Sequence, residues 1–182
     1  SIVSLTVIIE RLLFWLSLGR RHSPRLMDEI LELCRDGRFS EAAERIGQSR
    51  DYLARVLQTG IRHDTTTMSM AMETAAAEEI RRMRRFMSIL DTIITVAPLL
   101  GILGTVIGII SSFNLLGSEG IEHPKVVTAG ISQALVTTAS GLTIAILTVF
   151  PFNYFNTRIE HAVSAIEKYA TTLEVISSEN GR

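Results

Sequence analysis

The chain has 182 residues, 47% of them apolar, and 18 Lys and Arg against 19 Asp and Glu for a net charge of −1. A mean hydropathy of +0.29, with the apolar residues gathered into long uncharged runs, excludes an ordinary small soluble domain. The single cysteine, Cys34, excludes an intramolecular disulfide and leaves no thiolate cluster, so neither a metal nor a cofactor is expected; the net charge itself says little about partners, and none of them is expected to be a nucleic acid.

The first apolar stretch, Ile2 to Leu18, is interrupted by Glu10 and Arg11 and does not begin with methionine. It reads as a first transmembrane helix over residues 1–19, displayed from partway into the span. A secretory signal peptide would need a basic start and a small-residue cleavage site, and Leu12-Leu13-Phe14-Trp15 followed by Arg20-Arg21 offers neither. Trp15 reads as an interfacial anchor beside that basic flank.

Residues 20–85 are polar and helix-favouring and are expected to form a small cytoplasmic helical domain, with a merely solvated linker as the alternative. Ser23-Pro24 supplies an N-cap and a first helical position. Leu26, Ile30 and Leu33 make an apolar face, Gly37 punctuates, and Ser40 opens a second short helix over Glu41 to Ile46. From Thr65 no proline occurs before Pro98, and one continuous helix is expected to run from this domain into the membrane. Met68, Met70 and Met72 are expected to pack rather than bind metal, since two-residue spacing cannot place all three on one helical face.

Two runs pass the test for a bilayer span, which needs about 20 predominantly apolar residues. No charge occurs from Thr92 to Ser118 or from Val126 to Thr157. They define a second transmembrane helix over 86–116, a short periplasmic loop over 117–125 and a third transmembrane helix over 126–157. The cytoplasmic C-terminal helix then occupies 158–182. Arg20, Arg21, Arg25, Arg81, Arg82, Arg84, Arg85, Arg158 and Lys168 all flank one side, which places the N-terminus in the periplasm and the C-terminus in the cytoplasm. The expected fold class is therefore all-α: an integral membrane protein with three transmembrane helices and long cytoplasmic helical extensions.

Helices in lipid associate by close packing through small residues and by interhelical hydrogen bonds. Gly101, Gly104 and Gly108, with Ser112, step by three or four along the second span; Gly130, Ala134, Thr137 and Gly141 do so along the third. Both seams are expected to pack against neighbouring helices. The spans also carry Thr105, Ser111, Ser112, Ser132, Gln133, Thr137, Thr138, Ser140 and Thr143. Uncompensated, such groups are costly in hydrocarbon; about half are expected to bond back to their own helix, as serine and threonine readily do. The rest face a polar interior, and Thr105 and Thr138 are the pair read as lining an ion path, with Gln133, Ser112 and Thr137 beside them. Asp91 and Asn153 lie near the cytoplasmic ends. Proton paths commonly use an ionisable relay inside the membrane, and the central parts of both spans contain no carboxylate, histidine or lysine. A conducting chain must borrow its carboxylate from a partner.

The run Ala97-Pro98-Leu99-Leu100-Gly101-Ile102-Leu103-Gly104-Thr105-Val106-Ile107-Gly108-Ile109-Ile110-Ser111-Ser112-Phe113 closely resembles the second-span signature of ExbB and TolQ proteins. Gly130-Ile131-Ser132-Gln133-Ala134-Leu135-Val136-Thr137-Thr138-Ala139-Ser140-Gly141-Leu142 resembles their third-span signature, and Val7-Ile8-Ile9-Glu10-Arg11-Leu12 the end of their first. The resemblance to the MotA/TolQ/ExbB proton channel family implies a homopentamer around a dimer of ExbD/TolR-like single-span partners that carry an intramembrane aspartate. It implies that Thr105 and Thr138 face that aspartate, and that proton motive force is passed to a TonB- or TolA-like protein for outer-membrane transport or envelope integrity. Several members have glutamate where this chain has Gln133, so a second ionisable site does not carry over. The alternatives are a flagellar or gliding stator subunit, and a non-conducting oligomeric scaffold. An enzyme is not expected: His22, His63, His123 and His161 all lie outside the uncharged runs, leaving an intramembrane hydrolase no general base.

Overall fold

A computed structural model describes residues 1–21, 23–119 and 124–180, and among these every regular element is helical. In chain order they are α1 (Ile2–Arg21), α2 (Pro24–Arg35), α3 (Phe39–Gly47), α4 (Tyr52–Ile61), α5 (Thr65–Met83), α6 (Met87–Glu119) and α7 (Pro124–Glu179). Three helices are long and apolar enough to cross a membrane, within Ile2–Arg20, Met87–Asn114 and Thr128–Glu179. Pro98 and Pro151 lie inside α6 and α7 and end neither. Of the expected 117–125 loop, residues 120–123 lie outside the described residues, as does His22.

The chain divides into two compact units: Ser1–Ile9 with Phe86–Tyr154, and Glu10–Arg85 with Phe155–Arg182. The first unit is made of parts of the helices that are long and apolar enough to cross a membrane. Its apolar side chains are largely exposed in the single chain, Leu100 at 61% and Phe113 at 63%, so lipid or further polypeptide has to cover them.

The second unit has an apolar core of its own. In α7, Phe155, Ile159, Ala162, Ile166, Leu173 and Ile176 are buried and recur at helical spacing along one stripe. The short helices contribute Met27, Ile30, Ala42, Ile46, Leu53 and Leu57. Ser23 does stand at the N-cap of α2 with Pro24 at the first helical position, but its hydroxyl caps nothing; its backbone N–H instead donates to Asp51 Oδ2 at 3.0 Å. The other Asp51 oxygen accepts from Leu53 N at 3.0 Å, capping α4, so one buried carboxylate ties two helix starts together. Helix α4 was not expected from the sequence.

The methionines separate as their spacing requires: Met68 and Met72 are buried, and Met70 is 72% exposed. Met72 fills the space over Gly60, where a Cβ would come within 2.5 Å of its sulfur. Gly60→Ala is therefore expected to lower stability by about 1–2 kcal/mol through overpacking, read as a lower melting temperature of the purified protein. Met72→Ala in the same chain should recover part of that loss.

The expected continuous helix from Thr65 into the membrane is corrected by the structure. Helix α5 ends at Met83 and α6 starts at Met87, with Phe86 at φ 64° between them. A non-glycine residue there is strained by about 1–3 kcal/mol and persists only where its surroundings determine it. Before it, the end of α5 is met by Arg11, whose side chain is 2% exposed. It donates through Nη1 to the carbonyls of Arg82 at 3.2 Å and Met83 at 3.3 Å, taking the place of helix N–H donors lost at the end of α5. Its Nε and Nη2 meet both carboxylate oxygens of Glu10, at 2.5 and 2.6 Å.

Candidate functional site

Within the first unit, α6 and α7 approach along the two rows of small residues. A Cβ on Gly104 would stand 2.7 Å from Thr137 Oγ1, and one on Gly108 would stand 2.7 Å from the Ala134 Cβ. On Gly141 it would come within 2.5 Å of the Ala97 carbonyl oxygen and 3.1 Å of Gly101 Cα, and on Gly101 within 3.0 Å of Thr138 Cα. Gly130 faces the Ser112 hydroxyl in the same way. The helices thus touch backbone to backbone, as small residues permit. Gly141→Ala meets main-chain atoms that cannot rotate aside, so it should open this contact at a cost of about 1–3 kcal/mol. The expected readout is a lower melting temperature and less recoverable complex after detergent extraction.

Because the backbones are close, hydroxyls on one helix reach carbonyls on the other. Thr105 Oγ1 lies 3.2 Å from the Gly101 carbonyl oxygen on its own helix and 3.1 Å from that of Ala134 on α7. Thr138 Oγ1 donates to the Gly101 carbonyl at 2.9 Å, and the Thr105 and Thr138 hydroxyls are hydrogen-bonded to each other. Thr137 Oγ1 donates to Ala134 O at 2.6 Å and lies 3.4 Å from Gly101 O. Each hydroxyl has one proton to give. Three such donors therefore share two carbonyls and one another, and the cluster has more than one way to place its protons. It can pass a hydrogen bond along by rotation; at physiological pH it cannot ionise.

The other hydroxyls mostly do not bridge helices. Ser112, Ser140, Thr143 and Thr148 each donate to the carbonyl four residues earlier, at 2.7–2.9 Å, and Thr92 and Thr95 do likewise. Ser112 is buried at the Gly130 contact. Gln133 is exposed and stands on the wall of an open groove of about 780 Å³, together with Val96, Leu100, Thr137, Ser140 and Ile144. The site residues read from the sequence thus fall into three places: Thr105, Thr138 and Thr137 in the cluster, Ser112 in the seam, and Gln133 on the groove. The Gly101 carbonyl, on which three hydroxyls converge, is a participant that side-chain reasoning missed; the glycine spacing was the signal that its backbone would be exposed to α7.

Residues 48–168 match the MotA/TolQ/ExbB proton channel family, a segment that contains the whole cluster and both seams. One protein named as an ExbB-like biopolymer transport protein of Synechocystis sp. is 34% identical over 97% of this chain and 86% of its own length. A second, from the same organism, is 33% identical over 98% of this chain and 72% of its own length. A Tol-Pal system protein TolQ of Pseudomonas aeruginosa is 31% identical over 60% of this chain and 47% of its own length.

Proposed function

Because this chain belongs to the MotA/TolQ/ExbB proton channel family, we propose that its ExbB/TolQ-type energising role is that of the channel-forming stator subunit in an inner-membrane motor driven by proton motive force. The observation that carries this reading is the pairing of Thr105 with Thr138 across α6 and α7 in spans whose uncharged runs hold no carboxylate, histidine or lysine. Hydroxyls can solvate and hand on a proton but cannot store its charge. A carboxylate supplied from outside the chain would complete the path.

In this reading five copies surround a dimer of an ExbD/TolR-like single-span partner, and the partner's intramembrane aspartate faces the Thr105–Thr138 pair. Protonation and release of that aspartate turn one assembly within the other, and the motion is passed to a TonB- or TolA-like periplasmic protein. Gln133, which cannot titrate, hydrogen-bonds water in the groove it lines. In the same reading the N-terminus lies in the periplasm and the C-terminus in the cytoplasm, an orientation that the arginine-rich flanks support.

The test is the mass of the detergent-solubilised complex by native mass spectrometry, with and without a co-expressed single-span partner carrying a membrane aspartate. A five-fold oligomer that gains two partner chains is expected. A monomer or dimer indifferent to the partner would favour a non-conducting scaffold.

A further inference from the structure

A second cavity lies wholly within the second unit, at the Trp15 end of α1. It is a half-open cavity of about 290 Å³ lined by Trp15, Gly19, Tyr52, Arg158, His161 and Ala162, among others, with Arg158 and His161 exposed at its mouth. We propose that it binds a phosphate-bearing anion, the headgroup of an acidic phospholipid in the leaflet that Trp15 borders.

Three observations on these residues point to such a ligand. The Arg158 guanidinium lies 5.6 Å from the centre of the Trp15 ring, stacked in cation–π fashion. Its charge also acts on the neighbouring Tyr52 phenol, but among the described residues its five N–H donors make no ion pair with a carboxylate. The Trp15 indole N–H is buried and meets no acceptor among the described residues. A buried donor left unpaired calls for an occupant that the polypeptide does not supply. Finally, Trp15 stands near the end of the apolar stretch of α1, and Arg158 is the first charged residue after the uncharged run of α7. Both therefore mark the level where hydrocarbon gives way to headgroups, the layer in which tryptophan and arginine anchors reside.

The walls suit an anion. Gly19 and Ala162 leave room beneath the guanidinium, with Arg158 Nη2 4.0 Å from where a Gly19 Cβ would be. Tyr52 stays a neutral phenol, its ionisation pushed up to about 12 by burial and then by the charge of Asp51. Asp51, the nearby acid, is already held by the N–H groups of Ser23 and Leu53. Arg158 with His161 favours an acidic headgroup over a zwitterionic one, whose choline would bring a positive charge to the same place.

Trp15 is the only tryptophan, so its fluorescence reports on the cavity directly. The purified full-length complex in neutral detergent is titrated with dihexanoyl phosphatidylglycerol, dihexanoyl phosphatidylcholine and inorganic phosphate, each separately. Phosphatidylglycerol should produce a saturable change in emission, with little response to the other two. Arg158→Gln should raise the half-saturating concentration by about tenfold or more, the size expected for a lost charge-assisted hydrogen bond, and His161→Ala by less, with helical content unchanged in both. Native mass spectrometry of Trp15→Phe, which keeps the ring and removes the donor, should show fewer retained phospholipids than the parent. An equal response to inorganic phosphate would overturn the lipid source and leave a free-phosphate site. No saturable response to either anion, equal responses to the two lipids, or an unshifted Arg158→Gln titration would overturn the proposal.

Discussion

Replacing Thr105 and Thr138 together by valine is expected to abolish ion-coupled work while leaving the oligomer intact. Valine has nearly the shape of threonine, so the close contact of α6 with α7 survives; what disappears is the hydroxyl bridge between Thr105, Thr138 and the Gly101 and Ala134 carbonyls. A single buried hydrogen bond is worth about 0.5–1.5 kcal/mol, so each single substitution should slow coupled work by up to about tenfold. The double variant removes both partners that would meet the carboxylate in the proposed assembly and should fall to background. Thr105→Ser and Thr138→Ser keep a hydroxyl and should retain most of the activity. The measurement is complementation of a strain whose own subunit is deleted, scored together with the mass of the purified complex. Full activity in the valine double variant, with the complex assembled, would sink the role given to the pair.

Arg11→Met is expected to be the most destabilising single change outside the membrane seam. Arg11 is the largest side chain that the fold buries completely, and its guanidinium sits 4.5 Å from the centre of the Phe14 ring. Methionine would fill much of the volume but would leave the Arg82 and Met83 carbonyls without these donors and Glu10 without its fork of N–H groups. Removing one partner of a buried ion pair costs about 3–5 kcal/mol. Because the Glu10 side chain is 41% exposed and can take up water, the lower end applies, about 3 kcal/mol. Glu10→Gln in the same chain should recover part of this, which a double-mutant cycle would measure. Backbone amides of residues 82–85 should exchange with deuterium faster in Arg11→Met than in the parent, because the carbonyls at the end of α5 lose the donors of Arg11. An unchanged exchange rate there would mean that the helix end holds without the arginine.

The membrane helices were legible because a bilayer imposes a length and a polarity that no other environment imposes. The charge-free runs Thr92–Ser118 and Val126–Thr157 fall inside α6 and α7. Glycine and alanine spacing made the α6–α7 contact legible in the same way, since each small residue is one turn from the next. Helix α4 was overlooked although its pattern is helical: Arg55, Gln58 and Thr59 fall at i, i+3 and i+4 on the less buried face, while Tyr52, Leu53, Ala54, Val56, Leu57 and Ile61 are buried. Asp51 stands before it as the capping residue.

The break between α5 and α6 had no local signal. Arg84-Arg85-Phe86 contains neither glycine nor proline, and the group that meets the end of α5 is Arg11, more than seventy positions away in sequence. Glu10 and Arg11 were visible only as an interruption in an apolar stretch. Their part in closing the end of α5 is a tertiary fact. Of the hydroxyls named from the sequence, Ser112, Ser140 and Thr143 turn to their own helix, while Thr105, Thr137 and Thr138 reach across to the neighbouring one. Which threonines would bridge depended on where the glycines let the two backbones meet.

The central claim is that the Thr105–Thr138 pair forms part of a proton path completed by a partner's carboxylate. Its most direct test is proton uptake into proteoliposomes containing the chain co-purified with its single-span partner, driven by a potassium diffusion potential and read with a pH-sensitive dye. The account predicts flux for the intact complex, none for the chain reconstituted alone, and none for the complex carrying Thr105→Val and Thr138→Val. Equal flux with and without the two hydroxyls, or flux from the chain alone, would contradict it.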